Sequence, residues 1–194
     1  SAERVARKAS QTREARQLNI IYAGRAAEMK GPMYWLEALS KVHALQIDFH
    51  ACWYGDGPEL HAMRQYILDH GLERCVELAG MAAHTEIIEQ LRAADVLMFC
   101  HITQESPRIL IESLNQATPI VGFMSPYPAD LTTGGGGVLV ERGDTDALAK
   151  EIAGIAQNRQ RLCELIREAA EAGSWLTDEA VFKHRADLIK EHLG

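Results

Sequence analysis

The sequence predicts an α/β fold, a Rossmann-like three-layer domain on a parallel sheet of about six strands. Three observations predict it. From Leu18 onward, short apolar runs of strand length alternate with stretches whose apolar residues recur every three to four positions. The second, fourth and fifth of the short runs are apolar on both faces, as strands covered on both sides of a sheet are. Glycine or proline stands at most of the junctions between the two kinds of segment. Strands alternating with helices of this length make βαβ units, whose right-handed crossovers give a parallel sheet. The order 3-2-1-4-5-6 is the common winding for six such strands.

The elements follow in order. Residues 1–17 hold five Arg/Lys against two Glu and no apolar stripe beyond Val5 and Ala9, so a linker or a frayed helix is expected there. Residues 19–23 form the first strand, ending at Gly24. Pro32 then opens a helix in which Trp35, Ala38, Leu39 and Val42 share a face. The second strand, 47–54, is stopped by Gly55-Asp56-Gly57-Pro58. A helix is expected over 59–70 with Gly71 at its C-cap, then a strand over 76–79. Thr85 caps a helix carrying Ile87, Ile88, Leu91 and Ala94. The fourth strand is 96–100. The next helix, 107–116, has Pro107 in its first turn; 119–123 is the fifth strand and 138–140 a short sixth. Asp144 caps a helix with Leu148, Ile152, Ile155 and Ala156, and two more helical segments follow, the last over 178–192. The run from Gly134 to Gly137 reads as a mobile loop or as a tight connection. Trp35 and Trp53 fall on core-type positions, whereas Trp175 is placed to meet another domain.

Composition narrows the function. With 194 residues and 47% of them hydrophobic, the chain can bury a core as one domain. A net charge of -7 argues against a general nucleic-acid or membrane-surface binder, so any phosphate site must be local. Cys52, Cys75, Cys100 and Cys163 form no CxxC pair, and buried reduced thiols of a cytosolic protein are expected. The eight histidines are dispersed without HExxH spacing, so no metal site is expected. No apolar stretch approaches the ~20 residues that span a bilayer. The chain starts at Ser1 without an initiator Met, as an excised fragment would.

In the expected winding, strands one and four adjoin at the switch point, where ligands bind beyond the carboxyl ends. Two segments lie there. The first, 24–31, carries Arg25, a planar fork for bidentate phosphate contact, and Lys30, a mobile point charge. Together they suit a diphosphate; the alternative is a solvated loop with two surface cations. The glycines of a dinucleotide or Walker loop are missing, which weakens a dehydrogenase reading. The second segment runs from Cys100 to Glu112. With Pro107 in the first turn, the N–H groups of Arg108 and Ile109 are free at a helix N-terminus and make an anion site. Glu112 either reaches a ribose hydroxyl or faces solvent. Asp56 is expected to bond turn N–H groups rather than a ligand.

From Asn19 to the C-terminus the chain resembles the C-terminal, donor-binding domain of the retaining group 1 (family 4) glycosyltransferases, one half of a GT-B fold. The resemblance rests on a co-linear set. Gly24-Arg25 with Lys30-Gly31 is similar to the diphosphate-binding element, Gly55-Asp56-Gly57-Pro58 to the turn after strand two, and Val76 through Gly80 to the strand and loop at the nucleobase. Ala94-Asp95-Val96, Ser106 through Ser113, Thr118-Pro119-Ile120-Val121, Gly137 through Val140 and Gly143-Asp144 follow in the family's order. The resemblance implies retaining transfer of a sugar from a nucleoside diphosphate donor, UDP ahead of GDP or ADP, to an unidentified acceptor glycan, lipid or small molecule. It implies Arg25, Lys30, Arg108 and Ile109 at the donor diphosphate, Glu112 at the ribose, and Gly80, Met81 and Ile87 at the nucleobase. No metal and no cofactor are implied. The domain would be 18–194, partnered by an N-terminal acceptor domain absent from this chain, and 178–192 would be the helix that returns to that partner. The location implied is cytoplasmic, peripheral to the inner membrane if the partner domain binds there, and the domain alone would be inactive.

One departure stands out. The family carries two glutamates with seven residues between them; with Glu112 as the second, Gln104 occupies the first position and Glu105 a common glycine position. Either Gln104 contacts the donor sugar without supplying charge, or Glu105 serves in its place. Cys100-His101 stands where Pro-Ser is frequent. The alternatives are a nucleotide-sugar 2-epimerase-like GT-B domain and a catalytically idle nucleotide-binding or regulatory domain.

Overall fold

The computed structural model describes residues 2–14 and 17–176. Its sheet has six strands: β1 (Leu18–Ala23), β2 (Phe49–Tyr54), β3 (Val76–Gly80), β4 (Val96–Phe99), β5 (Ile120–Phe123) and β6 (Gly137–Val140). All pair in parallel in the order β3-β2-β1-β4-β5-β6, as the alternation of segments implied. β4 and β5 are buried at every residue, and β2 is buried at Phe49, Ala51, Cys52 and Trp53, the two-sided burial of a sheet covered by helices.

The helices are α1 (Ala2–Glu14), α2 (Pro32–Ala44), α3 (Leu60–Asp69), α4 (His84–Ala93), α5 (Arg108–Asn115), α6 (Pro126–Leu131), α7 (Thr145–Gln157) and α8 (Arg159–Ser174). α2 packs against α3 and α7; α5 packs against α4 and α8, with α1 on α8. The structure thus takes the helical alternative for the N-terminal segment. Ala9 of α1 is buried, and Lys8 donates to Thr118 Oγ1 at 2.6 Å. Trp35 and Trp53 lie wholly in the core, edge to face with centroids 5.4 Å apart.

Local signals account for most boundaries. Pro32 sits in the first turn of α2, where its missing N–H costs nothing. After α3, Gly71 N–H donates to Leu68 O and Leu72 N–H to Ile67 O, the paired bonds that close a helix through a glycine. Asp144 caps α7, its carboxylate accepting from Ala147 N at 2.8 Å. Gly134 to Gly137 is a tight connection: Gly136 is buried and its N–H donates to Glu168 Oε2 at 3.0 Å.

Four expectations change. Thr85 does not cap α4; Ala83 holds the extended cap position and accepts from Ile87 N at 3.0 Å, which leaves Thr85 exposed inside the first turn. Pro107 flanks α5 rather than entering it, because its ψ of 126° is extended. α6, built on Pro126 and Pro128, is additional to the expected elements. Cys75 is half-exposed, unlike the buried Cys52, Cys100 and Cys163; all four are free thiols. The expected helix 178–192 lies outside the described residues. Trp175 is 75% exposed.

Candidate functional site

The loops at the carboxyl ends of the strands are tied to one another by backbone bonds that extend the sheet ladder. Gly24 N–H donates to Tyr54 O, Ala26 N–H to Asp56 O, Glu59 N–H to Ala26 O and Gly55 N–H to Gly80 O, at 2.7 to 2.9 Å. Trp53 Nε1 donates to Gly24 O at 3.1 Å from beneath. Asp56 bonds the N–H of Gly57 at 2.6 Å, which is the turn-satisfying role expected of it. On the other side, Ile102 N–H donates to Met29 O at 3.1 Å, so the loops after β1 and β4 also adjoin. Irregular backbone bonded on both sides in this way forms a stiff rim for a ligand.

Between the loops after β1, β2 and β3 lies a cavity of about 750 Å³, lined by Arg25, Tyr54, Gly55, Pro58, Met81 and Ile87 among others. Its volume is that of a site for a ligand of nucleotide size. It brings Arg25 together with Met81 and Ile87, three of the residues marked in the sequence, and Gly80 forms its rim through Gly55. Arg25 and Met81 are exposed, whereas Ile87 is 9% exposed and presents an apolar wall. A second, smaller cavity of about 210 Å³ lies over β4 and β5, lined by Gln104, Glu105, Ser106, Ser125, Pro126 and Tyr127. Gln104 and Glu105 therefore share one pocket, apart from that of Arg25.

Lys30 bridges the two regions. It ends the turn after β1, and its ammonium pairs with Glu105 Oε2. Behind them His101 is 5% exposed, its Nε2 2.6 Å from the hydroxyl of Tyr22 and its Nδ1 3.8 Å from Glu105 Oε1. Burial, and then the charge of Lys30, lower the His101 pKa to about 4 against the opposing pull of Glu105. Burial likewise pushes the Tyr22 phenol well up. The pair is thus neutral at pH 7 and shares one hydrogen bond, whose direction follows the imidazole tautomer. A stability consequence follows by linkage. Below its ordinary value of 6.5, His101 takes up a proton in the unfolded chain before it does so in the native one. The unfolded state gains protons first, so stability present above pH 6.5 is lost as pH falls toward 4, by roughly 2–3 kcal/mol. Denaturant titrations at pH 7, 5.5 and 4 should show that loss shrinking in His101→Gln; an unchanged pH dependence would remove His101 as its source.

Glu112 sits on α5 with a side chain 14% exposed. Its Oε1 lies 2.9 Å from both His84 Nε2 and Arg108 Nε. Glu112 therefore does not face bulk solvent; it faces the start of α4, next to the loop that carries Met81. The N–H groups of Arg108 and Ile109 open α5 without an intrahelical partner, while the Arg108 side chain is 81% exposed. Neither His84 nor the Tyr22–His101 contact is anticipated by the sequence reading. The available signal for that contact is that Tyr22 lies near the end of β1 and His101 just beyond β4, two strands that the winding makes neighbours.

Residues 4–172 match the family model of the glycosyl transferases group 1. The chain belongs to that family. It is 25% identical over 177 residues to a 2-deoxystreptamine glucosyltransferase of Streptomyces kanamyceticus, covering 89% of this chain and 44% of that protein. It is 28% identical over 144 residues to a 2-deoxystreptamine N-acetyl-D-glucosaminyltransferase of Niallia circulans, covering 72% of this chain and 36% of that one. The chain thus spans less than half the length of these relatives. Among solved structures it is similar to Anabaena Alr3699/HepE in complex with UDP, with a TM-score of 0.80 at 21% identity over 98% of this chain and 53% of that one. It is also similar to TarM of S. aureus in a complex that includes UDP, with a TM-score of 0.79 at 20% identity over 89% of this chain and 35% of that one. The fold is that of a GT-B glycosyltransferase domain.

Proposed function

We propose that the chain is the donor-binding domain of a retaining glycosyltransferase, holding a nucleoside diphosphate sugar across the carboxyl edge of its sheet. The observation that carries this is the 750 Å³ cavity over β1 to β3, with Arg25 on its wall and Lys30 on the same loop. The base would lie against Ile87 and Met81, beside Gly80, and the ribose against Glu112. The diphosphate would take Arg25, Lys30 and the N–H groups of Arg108 and Ile109. The chemical task is to stabilise a departing diphosphate, and cations and helix-end N–H groups place positive charge where negative charge develops. They supply the charge a divalent ion supplies in other transferase folds, so neither metal nor cofactor is required.

UDP is the expected nucleotide, a choice supported by relatives solved with UDP. The cleft of a GT-B enzyme lies between two domains, and we propose that an N-terminal acceptor-binding domain completes it. The chain alone then binds nucleotide and transfers nothing. Titration calorimetry with UDP, GDP and ADP tests this. Failure of all three to bind to folded protein would overturn the donor-site reading. A second reading, a nucleotide-binding domain without transfer chemistry, is favoured by the neutral, exposed Gln104. Donor hydrolysis by the two-domain protein, wild type against Gln104→Glu, separates the two.

A further inference from the structure

We infer that His84 is a positioning residue for the donor nucleotide: it holds one oxygen of the Glu112 carboxylate so that the other is presented to the ribose hydroxyls. The inference rests on the donor-site reading above and adds to it a residue at the start of α4 that the sequence reading did not mark.

The two oxygens of Glu112 stand in different situations. Oε1 lies 2.9 Å from His84 Nε2 and 2.9 Å from Arg108 Nε. A carboxylate oxygen only accepts, so the His84 Nε2 carries a hydrogen and donates it. Among the described residues, Oε2 has no protein partner. Its lone pairs can therefore accept from two neighbouring hydroxyls, which is what a ribose offers. The two donors on Oε1 also differ in what they fix. Arg108 lies one turn from Glu112 on the same helix, and its side chain is 81% exposed, so it draws the carboxylate along the surface of α5. His84 reaches across from α4 and fixes the carboxylate between the two helices.

The place of His84 agrees with that role. α4 begins just after Met81 and Ala82, which line the nucleotide-sized cavity. The start of the helix is held by its own backbone, Ala83 O accepting from Ile87 N at 3.0 Å. His84 and Ile87 are three positions apart and share a face of α4, and Ile87 is part of the cavity wall. The bond to Glu112 thus lies at the cavity end of the seam between α4 and α5. A second bond crosses that seam two turns further along, where Arg92 donates to Gln116 Oε1 at 3.3 Å. It ties the same two helices, and neither of its residues lines the cavity. A carboxylate held in one orientation before the ligand arrives loses little further freedom on binding, so the His84 bond strengthens the contact to ribose and not the packing alone.

The test compares UDP with 2′-deoxy-UDP by titration calorimetry, since the two differ only in one ribose hydroxyl. The wild-type chain is expected to bind UDP about 20-fold more tightly, the size of one hydrogen bond to a charged acceptor. His84→Ala should reduce that ratio to about fourfold, through weaker binding of UDP and with little change for 2′-deoxy-UDP. His84→Gln, whose amide can donate from nearly the same point, should return the ratio to about tenfold. Arg92→Ala, which removes the other tie between α4 and α5, should leave it at the wild-type value. A His84→Ala ratio within about twofold of wild type would overturn the inference. A ratio above wild type would do the same, because His84 would then compete with the ribose for Glu112. So would an equal fall in Arg92→Ala, which would assign the effect to helix packing. Equal binding of UDP and 2′-deoxy-UDP by wild type would remove the ribose from Glu112, and absence of UDP binding would overturn the donor-site reading; the role of His84 falls with either.

Discussion

Arg25→Ala is expected to weaken UDP binding by roughly 100- to 1,000-fold, ~3–4 kcal/mol, with little change in thermal stability. The size follows from what the two cations of the β1 loop are doing before any ligand arrives. Lys30 is already paired with Glu105, so a phosphate must displace a carboxylate to gain it. Arg25 has no ion-pair partner among the described residues and stands exposed on the cavity wall. Its charge is therefore available in full, and two charge-assisted bonds from one planar group are each worth ~1.5–3 kcal/mol. Lys30→Ala should cost less, about tenfold, because the variant also frees the ligand from competing with Glu105. Arg25→Lys should recover only part of the loss, since a point charge cannot reproduce the fork. Calorimetry on the folded variants decides it. An Arg25→Ala affinity within threefold of wild type would move the diphosphate elsewhere. A larger loss in Lys30→Ala than in Arg25→Ala would show that the ion pair opens at no cost.

The architecture was legible because it is written in periodicity and punctuation. The apolar residues of 96–100 and 119–123 are buried on both sides in the structure, and a strand of that kind has few other places to be. Gly71, Pro32 and Asp144 act locally, through bonds to their own helices, so each could be placed without the rest of the fold. The switch-point argument pointed to the loop of Arg25, which lines the larger cavity, because it depends only on strand order. What escaped depends on contacts between distant segments. His84 matters through Glu112, twenty-eight positions later, and His101 through Tyr22, seventy-nine positions earlier. Thr85 misled because a capping side chain is recognisable in sequence, whereas the extended backbone of Ala83 that holds the cap position is not. Lys30 was legible as a cation but not as one half of an ion pair, since its partner Glu105 lies across the sheet edge. α6 was missed because a six-residue helix with two prolines has too few turns to show a period.

The ion pair and both cavities depend on how closely the loop after β1 meets the end of β4, and that closeness makes Gly31→Ala the most damaging single change expected for the fold. Gly31 closes the turn over Glu28–Lys30 and caps α2, its N–H donating to Glu28 O and its carbonyl accepting from Trp35 N. Two separate costs arise there. Its φ of 65° is left-handed, which costs a residue with a Cβ ~1–2 kcal/mol. A Cβ would also come within 1.9 Å of the Cys100 carbonyl oxygen, a backbone atom of β4's end that cannot rotate away. Forcing the two segments apart adds ~1–3 kcal/mol, for a total of about 4 kcal/mol against an ordinary stability of ~5–15 kcal/mol. Gly71 offers an internal control, because its φ is also 65° but a Cβ there meets nothing within 4 Å. Gly71→Ala should lose only the conformational part, about 1 kcal/mol. Urea denaturation of the two variants separates strain from contact. Equal losses would mean that the close approach at Cys100 costs nothing. The expected difference of about 3 kcal/mol, together with UDP binding lost in Gly31→Ala and kept in Gly71→Ala, would show that this one contact sets the distance between Lys30 and Glu105.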